Sequence, residues 1–312
     1  LERSENKGLL IVGDSGIGKT ALIDAFVKEI CHNKDELLQQ VSIVGLNTAK
    51  LLAATSSENE IAQKVVALMH KLNQLDRVGL VIDDLQVLLE NGTSGKATTL
   101  INILNAQISE GACNLILTIT NDAYRKHIEK HSIESRLDII KIEELDHSTL
   151  LCSLYRHKNR IEEYYGLSIA DNCVLNIIQL SKRYFKERNL PSAAIDLLDR
   201  TAAAVRLCNK NSINTIKNFQ KELQNLLEEK GDNISNSDLQ MFYRMIFNKA
   251  GAVLTTKLSD TYVWNDDDDN KVKIQWIEKI LSELEELSSC SIKEVTPAEV
   301  EAIVAECTNI PI

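Results

Sequence analysis

The residues best suited to chemistry form a glycine-rich loop near the start of the chain. Residues 13–20 read G-D-S-G-I-G-K-T, which fits the phosphate-loop pattern G-x-x-x-x-G-K-[ST]. The loop lies between an apolar run, residues 9–12, and an amphipathic stretch, residues 21–30. A strand that turns through glycines into a helix N-terminus points backbone N–H groups and the positive helix dipole at one spot. The pattern therefore predicts a site for a nucleoside triphosphate.

We expect the side chains of this loop to divide the binding among them. Lys19 is expected to reach the β- and γ-phosphates, and Thr20 to ligate Mg²⁺. The other expected cofactor-binding residues are Gly13, Asp14, Ser15, Gly16, Ile17, Gly18 and Ala21. ATP and Mg²⁺ are therefore the expected cofactors, and a glycine-rich turn with a chance lysine is the alternative.

A second acidic segment, residues 78–84, has the form expected of the strand beside a phosphate loop. Its sequence V-G-L-V-I-D-D is an apolar run that ends in two carboxylates. Asp83 is predicted to bind the Mg²⁺ ion through its water shell. Asp84 stands where hydrolases of this kind usually carry a glutamate that orients the attacking water. Since aspartate is one methylene shorter, Asp84 is a catalytic candidate with reduced reach. The alternative is that both acids end a strand in solvent.

Composition bounds the class of protein. The chain has 312 residues, of which 44% are hydrophobic, enough for a sizeable core in two domains or one domain with appendages. We expect no membrane segment, because no apolar run reaches ~18 residues. The net charge of −10 argues against a nucleic-acid surface. Seven cysteines without a C-x-x-C pair indicate a reducing cytoplasm. The composition therefore favours nucleotides and other proteins as partners over nucleic acids.

The first part of the chain alternates apolar runs with helix-length segments. This alternation predicts a mostly parallel sheet with helices on both faces. The five expected strands are residues 8–12, 41–46, 78–82, 114–120 and 139–142. The fourth strand is expected between the first and the third, so that Thr120 at its end lies near the γ-phosphate.

Helical patterns replace the strand signals after Asp146. Residues 147–164, 171–186 and 191–207 are predicted helices. Further apolar stripes around 213–226 and 276–287 suit either core-facing helices or an antiparallel helical hairpin that projects from the body. Thr296 and Glu299 form a capping box for the last helix.

Four segments of the sequence together resemble the Clp-type AAA+ unfoldases and disaggregases. They are the phosphate loop; N-D-A-Y-R-K-H-I-E-K at 121–130; L-P-S-A-A-I-D-L-L-D at 190–199; and V-T-P-A-E at 295–299 with T-N-I-P-I at 308–312. The resemblance is to the first ATPase domain of these proteins and its inserted middle domain. It implies an α/β nucleotide-binding domain at 1–145, a helical lid at 146–208, a helical or coiled-coil insertion at 209–290, and a last lid helix with a linker toward a second ATPase domain at 291–312.

The resemblance also implies function. Members of the family form hexameric rings with ATP at each subunit interface, and they unfold, disaggregate or disassemble protein substrates. By position, Thr120 matches the sensor of the γ-phosphate, and Arg136 matches an arginine finger that reaches the neighbouring subunit's site. An arginine supplied in trans contributes ~10³–10⁵ in rate in phosphoryl-transfer enzymes. Adaptor, peptidase or secretion-sheath partners occur within the family and are not separated by this sequence.

Departures from the family pattern weaken the expected chemistry. Ser135 replaces the first of two finger arginines, Asp84 replaces the catalytic glutamate, and Ala193 replaces a common lysine. Residues 53–57, at the position of the pore loop, contain no aromatic residue. Two hypotheses follow: an ATPase that moves protein substrates, or an ATP-binding scaffold ring that hydrolyses poorly. A DNA-linked loader or signalling ATPase is disfavoured by the acidic charge.

Overall fold

The computed structural model describes residues 8–32, 41–54, 58–75, 77–90, 97–110, 114–258, 264–266 and 268–310. The chain divides into two compact units, Leu1–Leu145 and Asp146–Ile312. The division falls at the step from strands to helices that the sequence predicts, and each unit has its own core.

A five-stranded parallel sheet forms the centre of the first unit. Its strands lie in the order β2, β3, β4, β1, β5. Their bounds are β1 Gly8–Val12, β2 Ser42–Leu46, β3 Val78–Ile82, β4 Asn114–Ile119 and β5 Leu137–Lys141. The predicted position of the fourth strand, between the first and the third, is confirmed. The expected α/β fold class is confirmed as well.

Helices connect these strands. They are α1 Lys19–His32, α2 Thr48–Ala53, α3 Glu58–Leu72, α4 Leu85–Glu90, α5 Ala97–Glu110 and α6 Asn121–Ala123. Helix α6 continues directly into a π-helical turn, Tyr124–Ile128, and a 3₁₀ turn, Glu134–Arg136, precedes β5.

Both faces of the sheet are covered, which explains the unbroken apolar runs of β1, β3 and β4. On one face Leu10, Leu80 and Leu117 pack with residues of α3, α4 and α5. On the other face Ile11 and Ile116 pack with residues of α1. Strands buried on both sides do not alternate between polar and apolar residues. Because the strands are parallel, their carboxyl ends share one edge of the sheet, where the phosphate loop begins.

The second unit is almost entirely helical. Its helices are α7 His147–Tyr165, α8 Asp171–Tyr184, α9 Ser192–Lys230, α10 Asn236–Ala250, α11 Ala252–Thr255, α12 Asn270–Ser289 and α13 Pro297–Thr308. A 3₁₀ turn, Gly231–Asn233, follows α9. Two short strands, β6 Ser168–Ile169 and β7 Glu294–Val295, pair in parallel. The predicted capping box of Thr296 and Glu299 is present at the start of α13.

Helix α9 corrects the expected end of the third lid helix near residue 207. It runs for 39 residues, so the expected boundary between 208 and 209 falls inside one continuous helix. Residues 205–216 contain neither glycine nor proline, and nothing there interrupts the backbone hydrogen bonds of a helix. The amino-terminal half packs against α7 and α8, and the carboxyl-terminal half belongs to a second cluster.

That second cluster corrects the expectation of a projecting two-helix hairpin. Helices α9 and α12 do run antiparallel, since Gln220 bonds Glu285 and Asn209 bonds Ile292. Helix α10 packs with them as a third member, however, and contributes three buried residues, Leu239, Phe242 and Ile246. The carboxyl-terminal half of α9 therefore forms a small helical bundle with α10 and α12, and this bundle has its own core. None of the described helices is both long enough and apolar enough to span a bilayer.

Candidate nucleotide-binding site

The phosphate loop has the backbone that its glycines predict. Gly16 and Gly18 have φ values of +80° and +112°, a region that residues with a Cβ rarely adopt. The Gly13 N–H donates to Ile119 O at 3.2 Å, which ties the start of the loop to the end of β4. Helix α1 begins at Lys19, directly after the loop. The loop backbone therefore lies at the positive end of a helix dipole, where a phosphate is stabilised.

Lys19 folds back over this loop. Its Nζ donates to Gly13 O at 2.8 Å and to Asp14 O at 3.0 Å, and the residue is only 5% exposed. Burial lowers the pKa of Lys19, and the nearby carboxylates of Asp84, Asp83 and Asp14 oppose that shift. The Lys19 ammonium thus lies on the loop whose backbone is suited to bind a phosphate.

Asp83 is fixed by hydroxyl groups on both of its oxygens. Thr20 Oγ1 donates to Asp83 Oδ2 at 2.7 Å, and Thr118 Oγ1 donates to Asp83 Oδ1 at 2.5 Å. The first contact joins the phosphate loop to the end of β3. It places the two expected Mg²⁺ residues, Thr20 and Asp83, side by side. Hydroxyl and carboxylate oxygens are the ligands that Mg²⁺ prefers.

Asp84 adopts an unusual backbone conformation next to Asp83. Its φ is +55°, in the left-handed region, and its N–H donates to Thr118 Oγ1 at 2.8 Å. Its Oδ1 accepts a 2.8 Å hydrogen bond from Gln86 Nε2. The carboxylate expected to orient water is therefore held by a neighbouring amide.

Thr120 lies at the same edge of the sheet, just after β4. Its Oγ1 accepts from Ala123 N at 3.3 Å and caps α6. The next residue, Asn121, donates from Nδ2 to Asp14 Oδ1 at 2.8 Å. The segment after β4 therefore contacts the phosphate loop directly.

Arg136 is not brought to the phosphate loop of its own chain. It ends the 3₁₀ turn before β5, beside the amino end of β1, because Gly8 pairs with Leu137 in the parallel register. The loop follows the other end of β1, a strand length of roughly 16 Å away at ~3.3 Å per residue. The Arg136 guanidinium instead donates to Asn105 Oδ1 at 2.9 Å and to Ser109 Oγ.

The remaining predicted binding residues differ in what they offer a ligand. Ile17 is buried at the base of the loop, so its backbone alone faces the site. Ser15 and Ala21 are exposed. In the stretch expected to form a pore loop, residues 55–57 lie outside the described residues. The loop N–H groups and Lys19 fit a nucleotide phosphate, and the oxygens of Thr20 and Asp83 fit Mg²⁺.

Three residues of this site, Thr118, Gln86 and Asn121, were missed by the sequence analysis. Thr118 had a signal, since it is the polar member of an otherwise apolar strand interior, L-I-L-T-I at 115–119. A buried hydroxyl must find a partner, and at this register the nearest partners are the acids that follow β3. Gln86 and Asn121 had no comparable signal, because their partners depend on the side-chain directions in two turns.

Two family models match the chain. A model described as "AAA lid domain" matches residues 151–248. A model described as "Novel STAND NTPase 1" matches residues 1–154. The two matches divide the chain close to the boundary between its two units.

Curated relatives are Clp proteins. A chloroplastic "ATP-dependent Clp protease ATP-binding subunit ClpA homolog CD4B" of Solanum lycopersicum is 29% identical over 99% of this chain and 32% of its own length. "Chaperone protein ClpC, chloroplastic" of Pisum sativum is 28% identical over 99% of this chain and 32% of its own length. ClpC of Staphylococcus aureus is 29% identical over 74% of this chain and 28% of its own length. The chain thus spans about a third of the length of these relatives.

Solved structures of Hsp104 are also similar to this chain. The "S. cerevisiae Hsp104-ADP complex" has a TM-score of 0.59 and 28% identity, and covers 68% of this chain and 36% of its own. The Hsp104 complex with ATPγS and FITC casein covers 93% of this chain and 48% of its own with a TM-score of 0.57; at 22% identity it supports the fold alone. Motif geometry, the lid model and these relatives agree, and the chain is similar to the Clp-type AAA+ ATPases.

Proposed function

We propose that this chain binds ATP with Mg²⁺ and hydrolyses it as part of a Clp-like machine that remodels proteins. The observation that carries the proposal is the 2.7 Å hydrogen bond from Thr20 to Asp83, beside a loop on which Lys19 lies. This arrangement supports a phosphate site that can also hold a divalent cation. The Clp and Hsp104 relatives support the wider activity.

The chemistry follows from the side chains of the site. Loop N–H groups and the Lys19 ammonium bind the β- and γ-phosphates. Thr20 and Asp83 hold Mg²⁺, which neutralises charge on the phosphate oxygens when bound. Asp84 orients the attacking water, and Thr120 contacts the γ-phosphate. Arg136 serves the site of a neighbouring copy.

Lys19 provides the direct test. A hydrogen bond from a charged group contributes about 1.5–3 kcal/mol, so Lys19→Ala should weaken ATP affinity roughly 10- to 100-fold. Lys28→Ala is the matched control, since Lys28 is an exposed lysine on the same helix. Titration calorimetry with ATP and Mg²⁺ measures both. Equal affinity of wild type and Lys19→Ala would exclude the phosphate-loop assignment.

The wider assembly is proposed from the family. The chain would supply a nucleotide-binding domain at 1–145, a lid at 146–208 completed by 291–312, and a middle insertion at 209–290, within a hexamer. Protein substrates are the expected partners, and one of the solved Hsp104 structures is of a complex with casein. We propose a cytoplasmic location, and Cys31, Cys152, Cys173, Cys208, Cys290 and Cys307 are free thiols.

Two observations favour a second candidate, a scaffold ring that binds ATP but hydrolyses it poorly. Asp84 is shorter than the usual glutamate, and the Gln86 amide occupies one of its oxygens. Both features limit how well its carboxylate can reach a water molecule. Lengthening Asp84 to glutamate distinguishes the two candidates, because only a poorly placed carboxylate gains from the extra reach.

A further inference from the structure

We propose that Thr118 is a positioning residue of the nucleotide site, which aligns Asp83 and the turn at Asp84 for Mg²⁺. The proposal rests on the proposed function, because it concerns how the same site holds its cation. Thr118 itself lies within β4, behind the residues that would contact Mg²⁺. It therefore acts through Asp83.

The Thr118 hydroxyl is positioned to use both of its hydrogen-bonding capacities. Thr118 is 0% exposed. Its single O–H donates to Asp83 Oδ1 at 2.5 Å, and its oxygen accepts from Asp84 N at 2.8 Å. An ionised carboxylate can only accept and a backbone N–H can only donate, so the direction of both bonds is fixed. One buried hydroxyl thus connects two consecutive acids of the neighbouring strand end.

The neighbours of Thr118 on its own face of the sheet are apolar. Ile116, two residues earlier in β4, is 4% exposed, and Ile11, the register partner of Thr118 in β1, is 3% exposed. An unpaired hydroxyl in such surroundings costs free energy. The Asp83 carboxylate and the Asp84 N–H provide its pairing here, and the hydroxyl in turn restrains both residues.

The restraint matters because Mg²⁺ requires near-ideal octahedral geometry. The terminal torsion of an aspartate is broad, so a free carboxylate samples many orientations. Asp83 is held at Oδ1 by Thr118 and at Oδ2 by Thr20. Removing the Thr118 hydroxyl leaves one side of the carboxylate free to turn and leaves the Asp84 N–H without this acceptor. Loss of such an outer-shell contact typically costs 10–100-fold in metal affinity.

The test measures how strongly Mg²⁺ tightens nucleotide binding. The non-hydrolysable ATP analogue AMP-PNP is titrated into the chain with excess Mg²⁺ and again with EDTA, and the ratio of the two affinities is compared between variants. Thr118→Val keeps the shape but removes the hydroxyl, and should lower this ratio by about 10-fold or more. The affinity in EDTA should stay within about two-fold, because the loop N–H groups and Lys19 are unchanged.

A second pair of variants covers the case in which Thr118→Val does not fold. Thr118→Ser and Thr118→Ala both lose the methyl group and differ only in the hydroxyl. The serine variant should retain the wild-type ratio and the alanine variant should not. Thermal melting by circular dichroism identifies the folded variants. An unchanged ratio in Thr118→Val or Thr118→Ala, or an equal loss in Thr118→Ser, would overturn the proposal.

A double-mutant cycle tests whether Thr118 acts through Asp83. Asp83→Asn alone should lower the Mg²⁺ ratio, and adding Thr118→Val should then change it little. An additive loss would contradict the positioning role. If wild type itself bound no nucleotide, the proposed function would fail first. If Mg²⁺ strengthens nucleotide binding in wild type and the Thr118 substitutions leave that effect unchanged, this inference alone is contradicted and the proposed function stands.

Discussion

At the scale of single residues, a side-chain hydrogen bond joins the two ends of the segment between β4 and β5. Tyr124, four residues after Thr120, donates from its hydroxyl to Glu134 Oε1 at 2.6 Å. Glu134 Oε2 accepts from Lys130 N at 2.8 Å, and Arg136 follows two residues later. The hydrogen bond to Glu134 raises the pKa of Tyr124 to about 12, and the same bond lowers the pKa of Glu134. The pair holds the turn that carries Arg136.

The pair predicts a pH-dependent contribution to stability. Tyr124→Phe should destabilise the chain at pH 7. The difference in unfolding free energy between wild type and Tyr124→Phe should shrink as the pH falls below the ordinary glutamate pKa of about 4.3 and through the lowered pKa of Glu134. The Glu134 carboxylate then protonates. The difference should also shrink as the pH rises from about 10 toward about 12, because the phenol then ionises. Urea unfolding of both proteins across these ranges measures the difference.

A matched control uses another tyrosine. Tyr164 is 74% exposed, so Tyr164→Phe should change stability little at any of these pH values. A Tyr124→Phe difference that stayed constant from pH 3 to pH 12 would contradict the role given to the Glu134 contact.

At the scale of elements, α11 connects the bundle of α9, α10 and α12 to the last helix, α13. Helix α11 packs on α13, and Val253 and Leu254 are 3% and 1% exposed. Just beyond α11, Lys257 Nζ lies 2.6 Å from Glu299 Oε1, and Glu299 is 3% exposed. Burial alone raises the pKa of Glu299, but hydrogen bonds from Lys257 and Thr296 outweigh it, so the pKa lies below its usual value.

Breaking this ion pair should therefore loosen the attachment. Lys257→Met leaves Glu299 buried with only its Thr296 hydrogen bonds, and we expect a loss of about 1–2 kcal/mol in unfolding free energy. Lys271→Met, at an exposed position of α12, is the matched control and should change it by less than about 0.5 kcal/mol. Chemical denaturation measures both. A neutral Lys257→Met would show that the ion pair adds nothing to the apolar packing of α11 on α13.

The elements also show how far the sequence could predict the fold. Apolar runs bounded by turn residues located all five strands of the sheet, and the signal is strongest for β1, β3 and β4, which are buried on both faces. The length of α9 was missed because the polar residues around Asn209 resemble a domain boundary, whereas in the structure Asn209 lies inside the helix and bonds the Ile292 backbone. The ion pair of Lys257 and Glu299 joins residues 42 positions apart (299 − 257), and no local pattern reports such a contact.

The residues of the predicted site also differ in how far the sequence could predict them. Lys19, Thr20 and Asp83 were predictable because a fixed spacing and two strand ends define their positions. Thr118 depends on the register of β4 beside β3, which follows only once the strands are paired. Its hydroxyl could have been noticed as a buried polar group without a partner, but its function could not.

At the scale of the whole molecule, the expected catalytic groups lie at opposite ends of the strands of one sheet. The phosphate loop follows the carboxyl end of β1, whereas Arg136 precedes β5 beside the amino end of β1. One copy therefore does not bring both groups to one phosphate within its described nucleotide-binding unit. This geometry is compatible with the proposed ring, in which each site takes its arginine from a neighbour.

We expect Asp84 to decide whether the proposed ring hydrolyses ATP or mainly binds it. A carboxylate that orients water must lie within hydrogen-bond reach of the nucleophile. Asp84 is short, starts from a left-handed backbone and already accepts from Gln86. In the assembled full-length protein, with any second ATPase domain inactivated, we expect slow hydrolysis that rises about ten-fold in Asp84→Glu, if ~1.4 kcal/mol of barrier is recovered.

The control for this substitution is Asp122→Glu, the same change at a side chain that is 96% exposed, which should leave turnover unchanged. Steady-state phosphate release at saturating ATP gives the rates, and AMP-PNP titration verifies that both variants still bind nucleotide. Fast wild-type turnover that falls in Asp84→Glu would mean that the turn held by Thr118 and Gln86 places the shorter carboxylate correctly. The scaffold hypothesis would then be wrong, since the departure from glutamate would be part of a working site.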